Sequence, residues 1–240
     1  MINLPIELCQ RILDHCDLFT QLQLIQTSAS LYNCLRITDF YNIDIKYKDL
    51  LTDEILINYH DIKKLDASNN HKITDKGIMH LKLRQLNATY NPKITDEGIK
   101  DMDLHILNAA GQWCSITGEG IQHMNLYELN AENNYKIKDE HIKHMQLSIL
   151  NASYNQSITD NGIMYMNLKV LIAQGNPKIT DFGIDQMSLD ILISCYSSGI
   201  SNKGISKMQL KQISAHFNPK ITIEGTKHMK NCETELYCPS

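Results

Sequence analysis

Leu83-x-x-Leu86-x-Ala88-x-x-Asn91, followed by Ile94-Thr95-Asp96-Glu97-Gly98-Ile99, is the stretch on which the fold turns. The second phrase returns as Ile73-Thr74-Asp75-Lys76-Gly77-Ile78, Ile158-Thr159-Asp160-Asn161-Gly162-Ile163 and Ile179-Thr180-Asp181-Phe182-Gly183-Ile184. Looser copies begin at Ile116, Ile137, Ile200 and Ile221. The second leucine of the first phrase falls at Leu65, Leu86, Leu107, Leu129, Leu150, Leu171 and Leu192, with Ile213 in the last copy. The steps are 21 residues, except for 22 between Leu107 and Leu129. A fixed period of this size marks one structural unit stacked many times. A degenerate earlier copy sets Phe40-x-x-Ile43-x-Ile45 in the first phrase and Leu51-Thr52-Asp53-Glu54-Ile55 in the second. About nine repeats therefore run over residues 40–230.

Each repeat divides into two halves. Apolar residues at alternate positions, such as Leu86 and Ala88, predict a short strand with one buried face. Asn then recurs at Asn70, Asn91, Asn134, Asn155, Asn176 and Asn218. A chain leaving a strand has unpaired backbone groups, and a buried Asn bonds them from inside the bend, so stacked repeats predict an Asn ladder. The Thr-Asp phrase reads as a helix start, with Thr74, Thr95, Thr159 and Thr180 as N-caps and the following Asp beside the positive helix end. Gly stands three residues after this position in seven of eight full copies, His141 being the exception. Its recurrence predicts a place where adjacent repeats approach too closely for a side chain. Ile99, Met102 and Leu104 predict one inward helix face.

Composition bounds the function. The chain has 240 residues, 42% hydrophobic and 21% charged, as in a globular protein. A net charge of −4 argues against nucleic acid and acidic membranes as partners. No apolar run approaches the roughly 20 residues that span a bilayer, and Met1-Ile2-Asn3-Leu4-Pro5 lacks the basic start of a secretory signal. Seven irregularly spaced cysteines without C-x-x-C read as reduced thiols in the cytoplasm or nucleus.

The first forty residues read as helical. Leu4-Pro5-Ile6-Glu7-Leu8 opens a helix with Pro in its first turn, and Leu8, Ile12 and Cys16, with Cys9 and Leu13, form its apolar face. Two further helical patterns cover Leu18 to Ile25 and Ser28 to Leu35. Solenoids need terminal caps, and these helices also suit that role.

The strand-and-helix unit resembles the leucine-rich repeat, and Ile-Thr-Asp-x-Gly-Ile resembles its cysteine-containing subclass, found in F-box proteins. The chain departs from that subclass in using Ala or Ser at the last strand position and in lacking the usual Cys. The N-terminal segment, with Leu4-Pro5-x-Glu7-Leu8, Ile12-Leu13, Leu22, Ile25 and Leu31 to Leu35, resembles an F-box. Leu31 stands where that family often carries an aromatic residue, and the middle of the segment is more polar than usual. The resemblance implies an α/β solenoid with a parallel sheet on its concave side and short helices on its convex side. It divides the chain into an F-box-like three-helix segment (1–39), repeats (40–230) and a C-terminal cap (231–240). It further implies a non-catalytic substrate receptor of an SCF-type ubiquitin ligase. The F-box would bind the Skp adaptor and, through it, the cullin ligase, while the concave face would bind a target protein. Leu4, Pro5, Ile6, Leu8, Ile12 and Leu13 become adaptor contacts or their supports. The alternative is an interaction module whose N-terminal helices are only a cap.

Three rows should line the open face. The first runs from Asp66 through Asn87, Asn108, Asn130 and Asn151 to Ile172, Ile193 and Ser214. The second runs from Ser68 to Cys195 and His216, and the third, at the strand ends, carries Tyr90, Tyr154, Tyr196 and Phe217. Exposed aromatic and apolar side chains are typical interface anchors. Tyr90, Tyr154, Ile172, Ile193, Tyr196, His216 and Phe217 are thus the target-binding candidates, concentrated near the C-terminal end. The aromatic row also reads as self-packing, and the Asn row as a structural ladder. The extra residue near Gly111-Gln112-Trp113-Cys114 favours a bulge packing Trp113 over its neighbours, ahead of a protruding anchor.

Chemistry finds little footing. His80, His123, His144 and His228 share one repeat position, which explains them as part-exposed residues late in a helix. His123, His141 and His144 lack the acidic or Cys ligand that would complete a zinc site. Cys195 with His216 as base lacks an oxyanion site. No cofactor motif occurs. The expectation is a cytoplasmic or nuclear recognition protein. Richness in Ile, Asn, Lys and Tyr also permits a pathogen product acting in host cytoplasm.

Overall fold

The computed structural model describes residues 6–26, 36–41, 48–196 and 198–236. Among them, ten short strands form one sheet in chain order. They are β1 (Asp39–Phe40), β2 (Lys64–Asp66), β3 (Gln85–Asn87), β4 (Ile106–Asn108), β5 (Glu128–Asn130), β6 (Ile149–Asn151), β7 (Val170–Ile172), β8 (Ile191–Ile193), β9 (Gln212–Ala215) and β10 (Glu233–Leu236). Every neighbouring pair is parallel, and like positions face one another: Leu65 pairs with Leu86, Leu107 with Leu129, Leu171 with Leu192. Parallel pairing needs a crossover between strands, and the rest of each repeat supplies it. The chain is thus α/β, a repeat solenoid with a sheet layer and a layer of short helices.

Alternation explains the strands. Leu86 and Ala88 are wholly buried, as are Leu150 and Ala152, while Asn87 and Asn151 between them are half-buried. Small Ala at the second core position lets the sheet sit close on the Ile residues of the helical turns, Ile78, Ile99 and Ile163, which are also wholly buried. The helices are shorter than the periodicity predicts. Asp96–Ile99 is a single turn, and Met102 and Leu104, though buried, lie on the returning chain. A return to the sheet within one 21-residue period leaves room for one turn only.

The first repeat is registered differently from the sequence expectation. Phe40, not Ile43, pairs with Leu65. Its buried ring fills the leucine slot and packs against Tyr59 at 5.5 Å between centroids. Ile43 and Ile45 lie outside the described residues. The second phrase of that repeat holds, with Thr52 capping Asp53–Leu56. At the other end β10 lies inside the segment read as a cap and extends the sheet by one period, Ile213 pairing with Thr234.

Two N-terminal helices are described, α1 (Ile6–Asp14) and α2 (Leu18–Gln26). Asp17 caps α2 by accepting from the Thr20 N–H at 3.0 Å. The Gln10 side chain ties α1 to the chain before β1, donating to the Arg36 carbonyl and accepting from its N–H, both at 2.8 Å. Leu13 is 1% exposed and joins the same buried cluster as Ile37 and Phe40. The apolar stripe of α1 differs from the expected one: Leu13 is buried and Cys9 and Cys16 half-buried, but Ile12 is exposed. Cys9, Leu13 and Cys16 share one helical face, and Ile12 lies to its side. Leu4, Pro5, the third helix and the Leu8 side chain lie outside what is described.

Candidate interaction surface

Two polar ladders hold the repeats at fixed spacing. Asn155 is wholly buried, and its amide donates to the carbonyls of Ala131, Asn134 and Ile137 at 3.1, 2.7 and 3.2 Å. Its Oδ1 accepts from the Ser157 N–H at 3.0 Å. Asn91 and Asn176 repeat the arrangement, as the sequence predicts. Cys114 stands at this position in one repeat, its thiol pushed up to about 11 by burial; its carbonyl accepts from Lys136 Nζ at 2.7 Å, while Asn134 donates to the carbonyls of Ala109 and Ile116.

The second ladder was only half visible in the sequence. Thr52, Thr74, Thr95, Thr117, Thr159 and Thr180 each cap their own turn, Thr95 Oγ1 accepting from Glu97 N–H at 3.2 Å. The Asp after it serves the next repeat rather than its own helix end. Asp75 accepts from the Thr95 N–H at 2.8 Å and from its hydroxyl at 2.7 Å. Asp53–Thr74, Asp96–Thr117, Asp139–Thr159, Asp160–Thr180 and Asp181–Ser201 do the same. This also explains the glycine. A Cβ on Gly98 would collide with the Asp75 carboxylate, and one on Gly162 with that of Asp139.

One joint of this ladder is rebuilt. Asp is replaced by Gly118, Thr by Lys138 and Gly by His141. The buried His141 ring occupies the space that the aspartate side chain fills at the other joints, so a Cβ on Gly118 would strike it. His141 Nδ1 accepts from the Lys138 N–H at 3.1 Å, the bond the missing aspartate would have made. The three departures are one exchange.

The open face is less open than the alternation predicts. Ser68, Ala110, Ser153 and Cys195 are buried, and Ile172 and Ile193 half-buried. Asn87, Asn108, Asn130 and Asn151 turn Oδ1 onto the N–H two residues on, at 3.0–3.2 Å, finishing their own strands. Their structural reading therefore holds, as bonds within each repeat rather than between repeats. Asn151 alone among them adds a cross-repeat bond, to Glu132 at 3.3 Å.

Exposure is concentrated one step on, along the strand-end edge. Tyr90, Tyr154, Tyr196 and Phe217 are exposed, as is His216, whose Nε2 faces Glu235 at 3.7 Å. The four rings sit on left-handed backbone, with φ of 52° to 58°. That turn position recurs after each strand from β2 to β9, and Asn69, Gly111, Asn133 and Gly175 adopt it too. Left-handed backbone costs about 1–2 kcal/mol for a residue with a Cβ, least for Asn, so bulky residues there are unusual. Self-packing offsets part of the cost: Tyr90 lies over Gly111, Tyr154 over Gly175, and Tyr196 stacks on Phe217 at 5.4 Å and 16°. Trp113 does not pack over its neighbours as favoured; it is 65% exposed in the enlarged loop, and Tyr135 in the next repeat is exposed as well. The aromatic edge thus runs from Tyr90 onward rather than clustering at the C-terminal end.

The chemical candidates are not assembled. Cys195 Sγ lies 3.4 Å from Ser214 Oγ, and His216 faces Glu235 instead of the thiol. His144 and His228 bond carbonyls of the preceding repeat, Gln122 and Met208, at 2.7 and 3.0 Å. Among the described residues no three His, Cys, Asp or Glu are grouped to hold a metal ion, and no helix is long and apolar enough to cross a membrane. No protein-family model matches the chain, and no curated protein matches it.

Proposed function

We propose that the chain is the substrate-recognition subunit of an SCF-type ubiquitin ligase, non-catalytic itself, acting in the cytoplasm or nucleus. Its N-terminal helices bind a Skp-type adaptor that links it to the cullin ligase, and the open face and edge of the repeat sheet hold a target protein. The observation that carries this reading is the apolar exposure left on α1 after it has docked on the repeats. Leu13 is 1% exposed against the repeats, whereas Ile6 and Ile12 are 41% and 47% exposed. Exposed isoleucines at the start and middle of the helix are side chains that an adaptor could cover. The alternative, a free-standing interaction module with a helical cap, draws support from the Gln10–Arg36 bonds and from Leu13, which bind α1 firmly to the repeats.

Co-purification with a Skp adaptor separates the two. Wild-type protein retains the adaptor under the first reading, and Ile6→Lys with Ile12→Glu abolishes it while thermal stability stays near wild type. Failure of the wild type to bind, or binding that survives both substitutions, leaves only the cap.

A further inference from the structure

The loops that follow β2 to β9 share a composition. Residues 69–72, 90–93, 111–115, 133–136, 154–157, 175–178, 196–199 and 217–220 contain no Asp or Glu, although the chain has 27 acidic residues. They contain Lys72, Lys93, Lys136, Lys178 and Lys220. The same loops carry Tyr90, Trp113, Tyr135, Tyr154, Tyr196 and Phe217, all exposed. Lys72 and Lys136 rest their ammonium groups on carbonyls of the preceding repeat, Asp49 and Cys114, both at 2.7 Å. Their charge is thereby fixed on the edge rather than spread into solvent. Six aspartates sit on the other layer, where Asp53, Asp75, Asp96, Asp139, Asp160 and Asp181 tie one helical turn to the next. A chain of net charge −4 thus carries one edge free of acids and set with lysines and aromatic rings.

We propose that this edge binds an acidic peptide segment of the target in extended form, carboxylates on the lysines and apolar side chains on the rings. This rests on the reading of the chain as a target receptor and adds the class of segment it holds. Aromatic rings at left-handed positions, where Asn or Gly serve equally well in other repeats, mark the rings themselves as the purpose. Charge complementarity then selects the partner's sign. A single-stranded nucleic acid would meet the same rings and lysines. Five lysines over eight loops cannot neutralise a strand with a phosphate at every nucleotide, whereas they suffice for a peptide with spaced carboxylates.

The test uses the full chain in fluorescence anisotropy. The probes are a labelled dodecapeptide pool with Glu at alternate positions, a matched pool with Lys, and an oligothymidylate. The acidic pool should bind at least tenfold more tightly than the other two. Tyr196→Asn with Phe217→Asn should lose at least tenfold, and the turn is preserved because Asn69 and Asn133 already occupy it. Lys93→Glu with Lys178→Glu should lose as much by a route that leaves the backbone untouched. Equal binding of the acidic and basic pools, or undiminished binding by both variants, overturns the proposal. Preference for the oligothymidylate overturns it in favour of a nucleic acid. Adaptor co-purification is measured on the same preparations. Adaptor retention without peptide preference sinks this inference alone, and peptide preference without the adaptor sinks the ligase reading alone.

Discussion

At the scale of single residues, buried polar groups and their partners decide stability. Asn155 makes four bonds from a site closed to water. Asn155→Ala strips the amide's bond from the Ile137 carbonyl and the Ser157 N–H, leaves the Ala131 and Asn134 carbonyls with their backbone donors only, and should cost about 2–3 kcal/mol in denaturant unfolding, with the exposed Gln156→Ala near neutral. The sequence shows this residue's role directly, because only an amide offers both donors and an acceptor at a bend. His80 gives a pH prediction. Burial, and then the neighbouring His60 ring at 5.3 Å between centroids, hold its imidazole below the ordinary value of 6.5. The unfolded chain therefore takes up a proton more readily than the folded one. Stability is unaffected above the ordinary value and falls as pH drops below about 6.5. His80→Gln should flatten that fall, measured as the melting temperature across the window; an unchanged profile would exclude His80 as a contributor.

At the scale of the element, the helical turns are built by their neighbours. Gly98 is glycine because of Asp75 in the repeat before it, not because of its own turn. Sequence periodicity exposes the glycine but not the carboxylate that requires it, since the two stand one repeat apart and the Asp also suits its own helix end. Gly118, Lys138 and His141 turn this into a quantitative expectation. His141→Gly should cost about 1–3 kcal/mol through the lost packing and the orphaned Lys138 N–H. Gly118→Asp should cost about 1–3 kcal/mol through collision with the imidazole. The triple variant Gly118→Asp, Lys138→Thr, His141→Gly should return to within about 1 kcal/mol of wild type, a strong departure from additivity. Additive losses in urea unfolding would refute the exchange.

At the scale of the whole molecule, periodicity made the architecture legible and irregularity hid the rest. Leu65 to Ile213 could be placed in a parallel sheet because one spacing recurs. The first register was missed by three residues because Phe40 substitutes a ring for leucine and only its burial identifies it. The candidate surface was legible as aromatic positions but not as exposure. Side-chain alternation says which residues leave the core, while neighbouring strands decide which reach solvent, so Cys195 is covered and Trp113 stands free of the surface.

Repeats in such a chain touch only the repeats beside them, so cooperativity is passed from neighbour to neighbour and is limited by the weakest coupling. The run of paired Asp–Thr contacts ends at Thr117 and resumes at Asp139, with a single bond from His141 between them. Native-state amide exchange should show two opening units that meet between these residues, each with its own free energy of opening. Where a solenoid holds together is where it transmits a load, so a partner pulling on one end would open this molecule at the histidine before it disturbed the repeats at the other.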